Sequence, residues 1–256
     1  MAERIVFHAG FHKTGTTTIQ RAMLNNRKLL RRKGIHVRTR DAMVGLCEAA
    51  RAWSQSLSAL DLGLVTYEAA ELATAWSQVD GTVLASSEDL AGHMPGRRGV
   101  TRYDACPSLV ATIADAFFSV TPTTQVDFVF TTREAEAWLA SCHAQHIRAT
   151  RMTLDLETYC KDFQASADLD AIVAEVRAAV PANIAVFPLE EHSDTPLAPI
   201  ASFAGLRPAP LSRLAREPVA NARPDPQVLD QLLAINRSDL SAEDARTAKR
   251  ALLAQS

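Results

Sequence analysis

The sequence is short of aromatic residues, 6% of 256, which leaves little from which to build a cage around a phenol-sized ligand. Its four cysteines, Cys47, Cys106, Cys142 and Cys160, form no C-x-x-C pair and no Cys/His cluster at zinc spacing. That spacing argues against a zinc module and a disulfide framework, and reduced thiols are the expectation. A dominant charge is also lacking. The formal net charge is −2, so no global field attracts nucleic acid or a membrane surface, and any anion site must be local. No apolar run reaches the length of a signal peptide or a membrane span, because Ile5 to Ala9 leads straight into a glycine-containing loop. A cytoplasmic location without a membrane span is the expectation. There is no internal repeat and no low-complexity block.

What is present is a globular composition, 47% hydrophobic, in a length that suits one α/β domain over residues 1–256. The stretch Arg4–Gln20, RIVFHAGFHKTGTTTIQ, organises the chain. Arg4 to His8 reads as a buried strand. Gly10 breaks it, and from Gly15 the pattern turns helical, with Ile19, Ala22, Met23 and Leu30 on one face. A strand, a glycine-containing loop and a helix start form a phosphate cradle, because the first backbone N–H groups of a helix and its dipole favour an anion. Gly10 and Gly15 let the backbone approach closely. Lys13 supplies a positive charge, and Thr14, Thr16 and Thr17 supply hydroxyls. A Gly/Thr-rich turn capping a core helix is the simpler alternative.

A Walker A loop places its lysine after the second glycine. In Gly10-Phe11-His12-Lys13-Thr14-Gly15-Thr16-Thr17 the lysine comes before it, which argues against an ordinary ATPase or GTPase. The order resembles the 5′-phosphosulfate loop of sulfotransferases that use 3′-phosphoadenosine 5′-phosphosulfate (PAPS), whose core is Lys-[Ser/Thr]-Gly-Thr-Thr. The continuation into a helix with Gln20 is similar to the bacterial branch of that family.

Further strands are expected at Ile35–Val37, Thr82–Ser86, Gln125–Thr131 and Ile184–Pro188. Helices are expected over Thr16–Lys33, Asp41–Leu57, Tyr67–Val79, Pro107–Val120, Glu134–Ala149, Leu154–Phe163 and Leu169–Val180. A short helix at Pro196–Gly205 precedes a Pro/Arg-rich loop at Arg207–Pro226, and two helices, Pro226–Asn236 and Ala242–Gln255, close the chain. The fold class is therefore α/β, a central and mainly parallel sheet of about five strands flanked by helices. The resemblance implies the P-loop-type three-layer sandwich. Arg31, Arg32 and Lys33 before Gly34 are explained by the helix dipole and a C-terminal cap rather than by a nucleic-acid patch. Arg97 and Arg98, in a Gly/Pro-containing segment after the third strand, suit either an anion contact or a solvated turn.

Arg133 follows the fourth strand, and Ser141 lies eight residues on, in the next helix. The resemblance implies that this pair binds the 3′-phosphate of PAPS; a guanidinium fork suits a phosphate dianion. A late R-x-G-x-x-G-x-W-K segment of many cytosolic sulfotransferases is missing, and Arg213, Arg216 and Arg223 lie in about its place. The implied activity is transfer of a sulfuryl group from PAPS to a hydroxyl or amine acceptor, a carbohydrate or small metabolite among them. Lys13 would oppose charge on the leaving oxygen, and no metal is required. The general base is Glu88, His12 or His93, with Glu88 first because it follows a strand end, where α/β sheets bind ligands. The competing classes are a P-loop nucleotide kinase or hydrolase, and a non-catalytic nucleotide binder.

Overall fold

The computed structural model describes residues 2–215 and 225–255. Its centre is a five-stranded sheet in the order β2-β3-β1-β4-β5, formed by β1 (Ala2–His8), β2 (Ile35–Thr39), β3 (Gly81–Ser86), β4 (Gln125–Thr132) and β5 (Ile184–Pro188). Every neighbouring pair is parallel. The three inner strands are mostly buried along their length, whereas β2 and β5 at the edges are mostly half-buried. Parallel strands covered on both faces read as continuous apolar runs, as Ile5-Val6-Phe7 and Phe128-Val129-Phe130 do.

Alternation sends these side chains into two cores. Ile5, Phe7, Val83, Phe128 and Phe130 pack against α3 (Val44–Ser56), α4 (Ala59–Trp76), α5 (Cys106–Val120), α6 (Ala135–Ala149), α7 (Leu156–Phe163) and α8 (Leu169–Ala179). Val6, Leu84 and Val129 face α1 (Thr16–Asn25), α2 (Arg27–Arg32) and α9 (Leu197–Phe203). A short turn of helix, α10 (Pro208–Leu211), follows, and α11 (Pro226–Arg237) and α12 (Ala242–Gln255) pack on the outer side of α6. Among the described residues no helix is long and apolar enough to cross a membrane.

Three boundaries differ from expectation. The first helix is not continuous to Lys33. Asn26 interrupts it, donating from Nδ2 to the Ala22 carbonyl at 2.8 Å and accepting at Oδ1 from the Ala215 N–H at 2.8 Å, so its side chain competes with the helical ladder. The helix expected from Tyr67 begins at Ala59, where Ser58 accepts the Asp61 N–H and caps it. The Pro/Arg-rich loop contains the helical turn α10. Arg216 and Arg223 lie outside the described residues.

β1 lies between β3 and β4, and the chain leaves it toward β2 on one side before crossing to β4 on the other. Ligands of such sheets bind beyond the carboxyl ends of the strands where connections diverge.

Candidate active site

The loop after β1 is anchored from below. Phe11 is fully buried, with its ring 4.8 Å from Tyr103 and 5.3 Å from Phe130 between centroids. Thr14 is turned inward as well. Its hydroxyl donates to the Phe11 carbonyl at 2.6 Å and lies 2.8 Å from the Thr131 hydroxyl. That chain continues through Thr131 to His8 Nε2 at 3.2 Å, and from His8 Nδ1 to the Ser86 hydroxyl at 2.8 Å. Gly10 crosses over it so closely that a Cβ there would come within 2.6 Å of His8 Nε2 and 2.7 Å of Thr131 Oγ1.

Thr16 is buried too, its hydroxyl donating to the Phe11 carbonyl at 3.4 Å, whereas Lys13, Gly15 and Thr17 are half-buried. Lys13 and Gly15 both adopt left-handed backbone, with φ of 68° and 88°, and this bend carries the chain from the loop into α1. Arg133 donates to the Lys13 carbonyl at 3.2 Å, and the Trp138 indole donates to the His12 carbonyl at 2.8 Å. The N-cap position of α1 is Gly15, which has no side chain to cap the first turn.

A cavity of about 480 Å³ opens over this surface. It is lined by Lys13, Gly15, Thr16 and Thr17 from the loop and α1, and by His12 beside them. Glu88 enters from the turn after β3, and Arg133 and Ser141 from β4 and α6. Gln145, one turn beyond Ser141, Leu189, which follows β5, and Arg97 also line the cavity. Gly10 and Thr14 lie behind it, shaping the loop. Arg213 is exposed and does not line the cavity.

Three candidate bases are held differently. His93 is buried, with its N–H on the Ser54 hydroxyl and its ring nitrogen 3.3 Å from the Met94 carbonyl, and it does not line the cavity. His12 donates its backbone N–H to the Tyr103 hydroxyl at 3.1 Å, and the same hydroxyl lies 3.0 Å from His12 Nδ1. If that hydroxyl donates to Nδ1, the ring proton sits on Nε2. Burial, reinforced by His93 and Arg97, pushes the His12 pKa down to about 3, so the ring is neutral. Glu88 is half-buried and accepts from Gln20 Nε2 at 3.2 Å. Burial raises its pKa. The adjacent acid, Asp89, accepts from Arg40 Nε at 2.7 Å, its other oxygen lies 3.8 Å from His12 Nε2, and Ser87 caps the turn by accepting the Asp89 N–H.

The charge on the wall is unbalanced. Among the described residues of the wall, Lys13, Arg97 and Arg133 face Glu88 as the one carboxylate, with Glu190 outside it 3.9 Å from Arg133 Nε. Burial lowers the Lys13 pKa, as expected of an ammonium short of solvent and counter-charge. A polyanionic ligand fits this imbalance. Among the described residues no group of three His, Cys, Asp or Glu side chains could hold a metal ion.

Tyr103 and Trp138 also belong to this site. Their contacts with the loop span 91 and 126 residues, and nothing local in the sequence marks them. In the sequence Ser141, Gln145 and Arg148 fall at i, i+4 and i+7 on one polar helix face.

No protein-family model and no curated protein sequence matches the chain. Among solved structures it is similar to the crystal structure of a sulfotransferase from Alicyclobacillus acidocaldarius, with 14% identity and a TM-score of 0.47 over 100% of this chain and 93% of that one.

Proposed function

We propose that this chain, acting as one domain over residues 1–256, transfers a sulfuryl group from PAPS to a hydroxyl or amine acceptor. The observation that carries the reading is a single cavity walled both by the Lys13–Thr17 loop and by the Arg133/Ser141 pair. PAPS carries anionic groups on both the 3′ and the 5′ carbon of its ribose, and the cavity offers cationic and hydroxyl donors from two separate elements. The start of α1, with Lys13, Thr16 and Thr17, suits the 5′-phosphosulfate. The Arg133 fork and the Ser141 hydroxyl suit the 3′-phosphate.

When bound, PAPS supplies the sulfuryl group, and 3′,5′-bisphosphoadenosine leaves with the electron pair of the broken S–O bond. As in phosphoryl transfer, the protein's work is positioning and electrostatic stabilisation. Lys13 opposes the charge that builds on the departing oxygen. Glu88 takes the proton of the acceptor hydroxyl or amine, a task suited to a carboxylate whose proton affinity burial has raised. His12, with its proton on Nε2, acts as a hydrogen-bond donor toward developing negative charge rather than as the base.

The test is calorimetric titration with 3′,5′-bisphosphoadenosine, AMP, and ATP with and without Mg²⁺, repeated on Lys13→Ala and Arg133→Ala. The expected result is tight, Mg²⁺-independent binding of the bisphosphate. Loss of Arg133 should weaken it about tenfold or more, as for a charge-assisted hydrogen-bonded pair, and leave AMP binding nearly unchanged. Preference for ATP with Mg²⁺ would move the protein to the kinase and hydrolase class. Tight bisphosphate binding without turnover across an acceptor screen would make it a nucleotide binder.

A further inference from the structure

Arg97 is a cavity residue that the nucleotide reading leaves without work. It sits in a tight hairpin. The Gly96 N–H donates to the Val100 carbonyl at 2.8 Å and the Val100 N–H to the Arg97 carbonyl at 3.0 Å, while Arg98 and Gly99 carry φ of 51° and 82°. Two successive left-handed residues are the signature of a rigid type I′ turn. The turn is pressed onto α6, since a Cβ on Gly96 would come within 2.6 Å of His146 Nε2.

His146 fixes the guanidinium. It is fully buried, its Nε2 lies 2.8 Å from the Pro95 carbonyl, and Arg97 Nε donates to its Nδ1 at 3.3 Å. Burial holds the His146 pKa down to about 4, so this partner is neutral. Arg97 forms no ion pair among the described residues, and one of its terminal nitrogens is buried with no hydrogen-bond partner. Arg51, whose charge acts on Arg97, is itself paired with Glu48 at 3.6 Å and Asp89 at 3.7 Å. Arg148 on α6 has its Nε buried without a partner as well. A held guanidinium with an unused N–H and no counter-charge is expensive unless a ligand completes it.

We propose that Arg97 receives an oxyanion carried by the acceptor, a carboxylate or a sulfate ester, so that the substrates are alcohols or amines already bearing a negative group. The proposal rests on the nucleotide reading above for the assignment of Lys13 and Arg133 to PAPS, which leaves Arg97 as the cation over. A guanidinium edge pairs well with the two oxygens of such a group. Glu88 lines the same cavity, so an acceptor held at Arg97 is bound in the chamber that contains the proposed base.

The experiment uses ¹⁵N-labelled full-length protein saturated with 3′,5′-bisphosphoadenosine. It is titrated with sodium acetate and, separately, with sodium sulfate at constant ionic strength, following the amide signals of the Gly96–Val100 turn. Wild type, Arg97→Met and Arg97→Lys are compared. Saturable shifts are expected in wild type, weakened about tenfold or more in Arg97→Met and less in Arg97→Lys, which keeps the charge but not the fork. Bisphosphate affinity should stay within about threefold in both variants, well below the loss of a charged hydrogen bond. A response to acetate alone selects carboxylate acceptors, and one to sulfate alone selects ester acceptors. Three results overturn the proposal: no saturable shift in wild type, anion affinity equal in wild type and Arg97→Met, or a tenfold fall in bisphosphate affinity, which would make Arg97 a nucleotide ligand. Should Arg97→Met not fold, equal anion affinity in Arg97→Lys and wild type overturns it. If wild type does not bind the bisphosphate, the nucleotide reading fails. The same titration of the nucleotide-free protein then decides by the same criteria whether Arg97 is an anion site.

Discussion

Acidification should unfold this protein through its buried histidines, and His8 provides the means to measure it. Burial pushes His8 and His12 down to about 3 and His146 to about 4. An unfolded histidine titrates near 6.5. Between those values the unfolded chain binds protons that the folded chain refuses, so stability is intact above about pH 6.5 and falls as pH drops toward the folded pKa values. Integrated from pH 8 to pH 5, each such histidine costs about 2 kcal/mol and the three together about 6 kcal/mol. That is comparable with the whole stability of a domain, about 5–15 kcal/mol. The perturbation is His8→Asn, which keeps a polar group beside Ser86 and removes the titration. Urea unfolding at half-unit steps from pH 8 to pH 5 should show the variant losing about 2 kcal/mol less than wild type over that range. Comparison of the two proteins cancels the other groups, including Glu88, whose raised pKa acts in the opposite sense. Identical pH slopes for the two proteins, or a wild-type stability flat across the range, would refute the reasoning.

Further outcomes follow from single contacts. Glu88→Gln should lower turnover with PAPS about a hundred- to ten-thousand-fold and abolish the acidic limb of the rate profile. In wild type that limb should lie above the ordinary carboxylate range because burial raises Glu88; normal turnover by the variant would remove Glu88 as the base. Tyr103→Phe strips the hydroxyl from both the His12 N–H and its Nδ1 and should cost about 1–3 kcal/mol in thermal or urea unfolding. Gly15→Ala forces a Cβ onto φ of 88° and to 2.8 Å from Leu189 Cδ1, costing about 1–2 kcal/mol for the backbone alone. Adding Leu189→Ala should recover the contact part of the loss in a melting experiment and leave the backbone part.

The loop was legible because its information is local. Gly10, Lys13, Gly15 and the threonines are read from spacing, and the strand before them and the helix after them carry clear periodicities. The same local reading places all three threonines on the ligand side, whereas Thr14 is turned into the core by the Phe11 carbonyl and Thr131, and the Thr16 hydroxyl also donates to the Phe11 carbonyl. Thr131 lies 117 residues away, so no spacing rule reports it. The inner strands are legible because parallel strands covered on both faces carry long apolar runs, whereas the edge strand β2, with His36 and Arg38 between Ile35, Val37 and Thr39, is legible only from its β-branched residues; all the pairings are parallel. The first two turns of α4 were missed for a physical reason. Gly63 is a poor helix former, and Leu60 and Leu64 are exposed, at 78% and 46%, so the apolar residues there mark no buried face. Arg97 was ambiguous between an anion contact and a solvated turn, and the turn's seat on His146 draws it to the cavity wall while Arg98 stays exposed.

Because the Trp138 indole is bonded to the His12 carbonyl, its fluorescence is coupled to the loop. The sequence contains three tryptophans, and Trp53 and Trp76 lie in the core beneath α3 and α4. Replacing those two with phenylalanine leaves a single emitter whose N–H touches the peptide next to Lys13. Any ligand that draws Arg133 off the Lys13 carbonyl, or tilts that peptide, alters the field at the indole and therefore its emission. The fold thus carries an optical gauge of its own loop, read without a label.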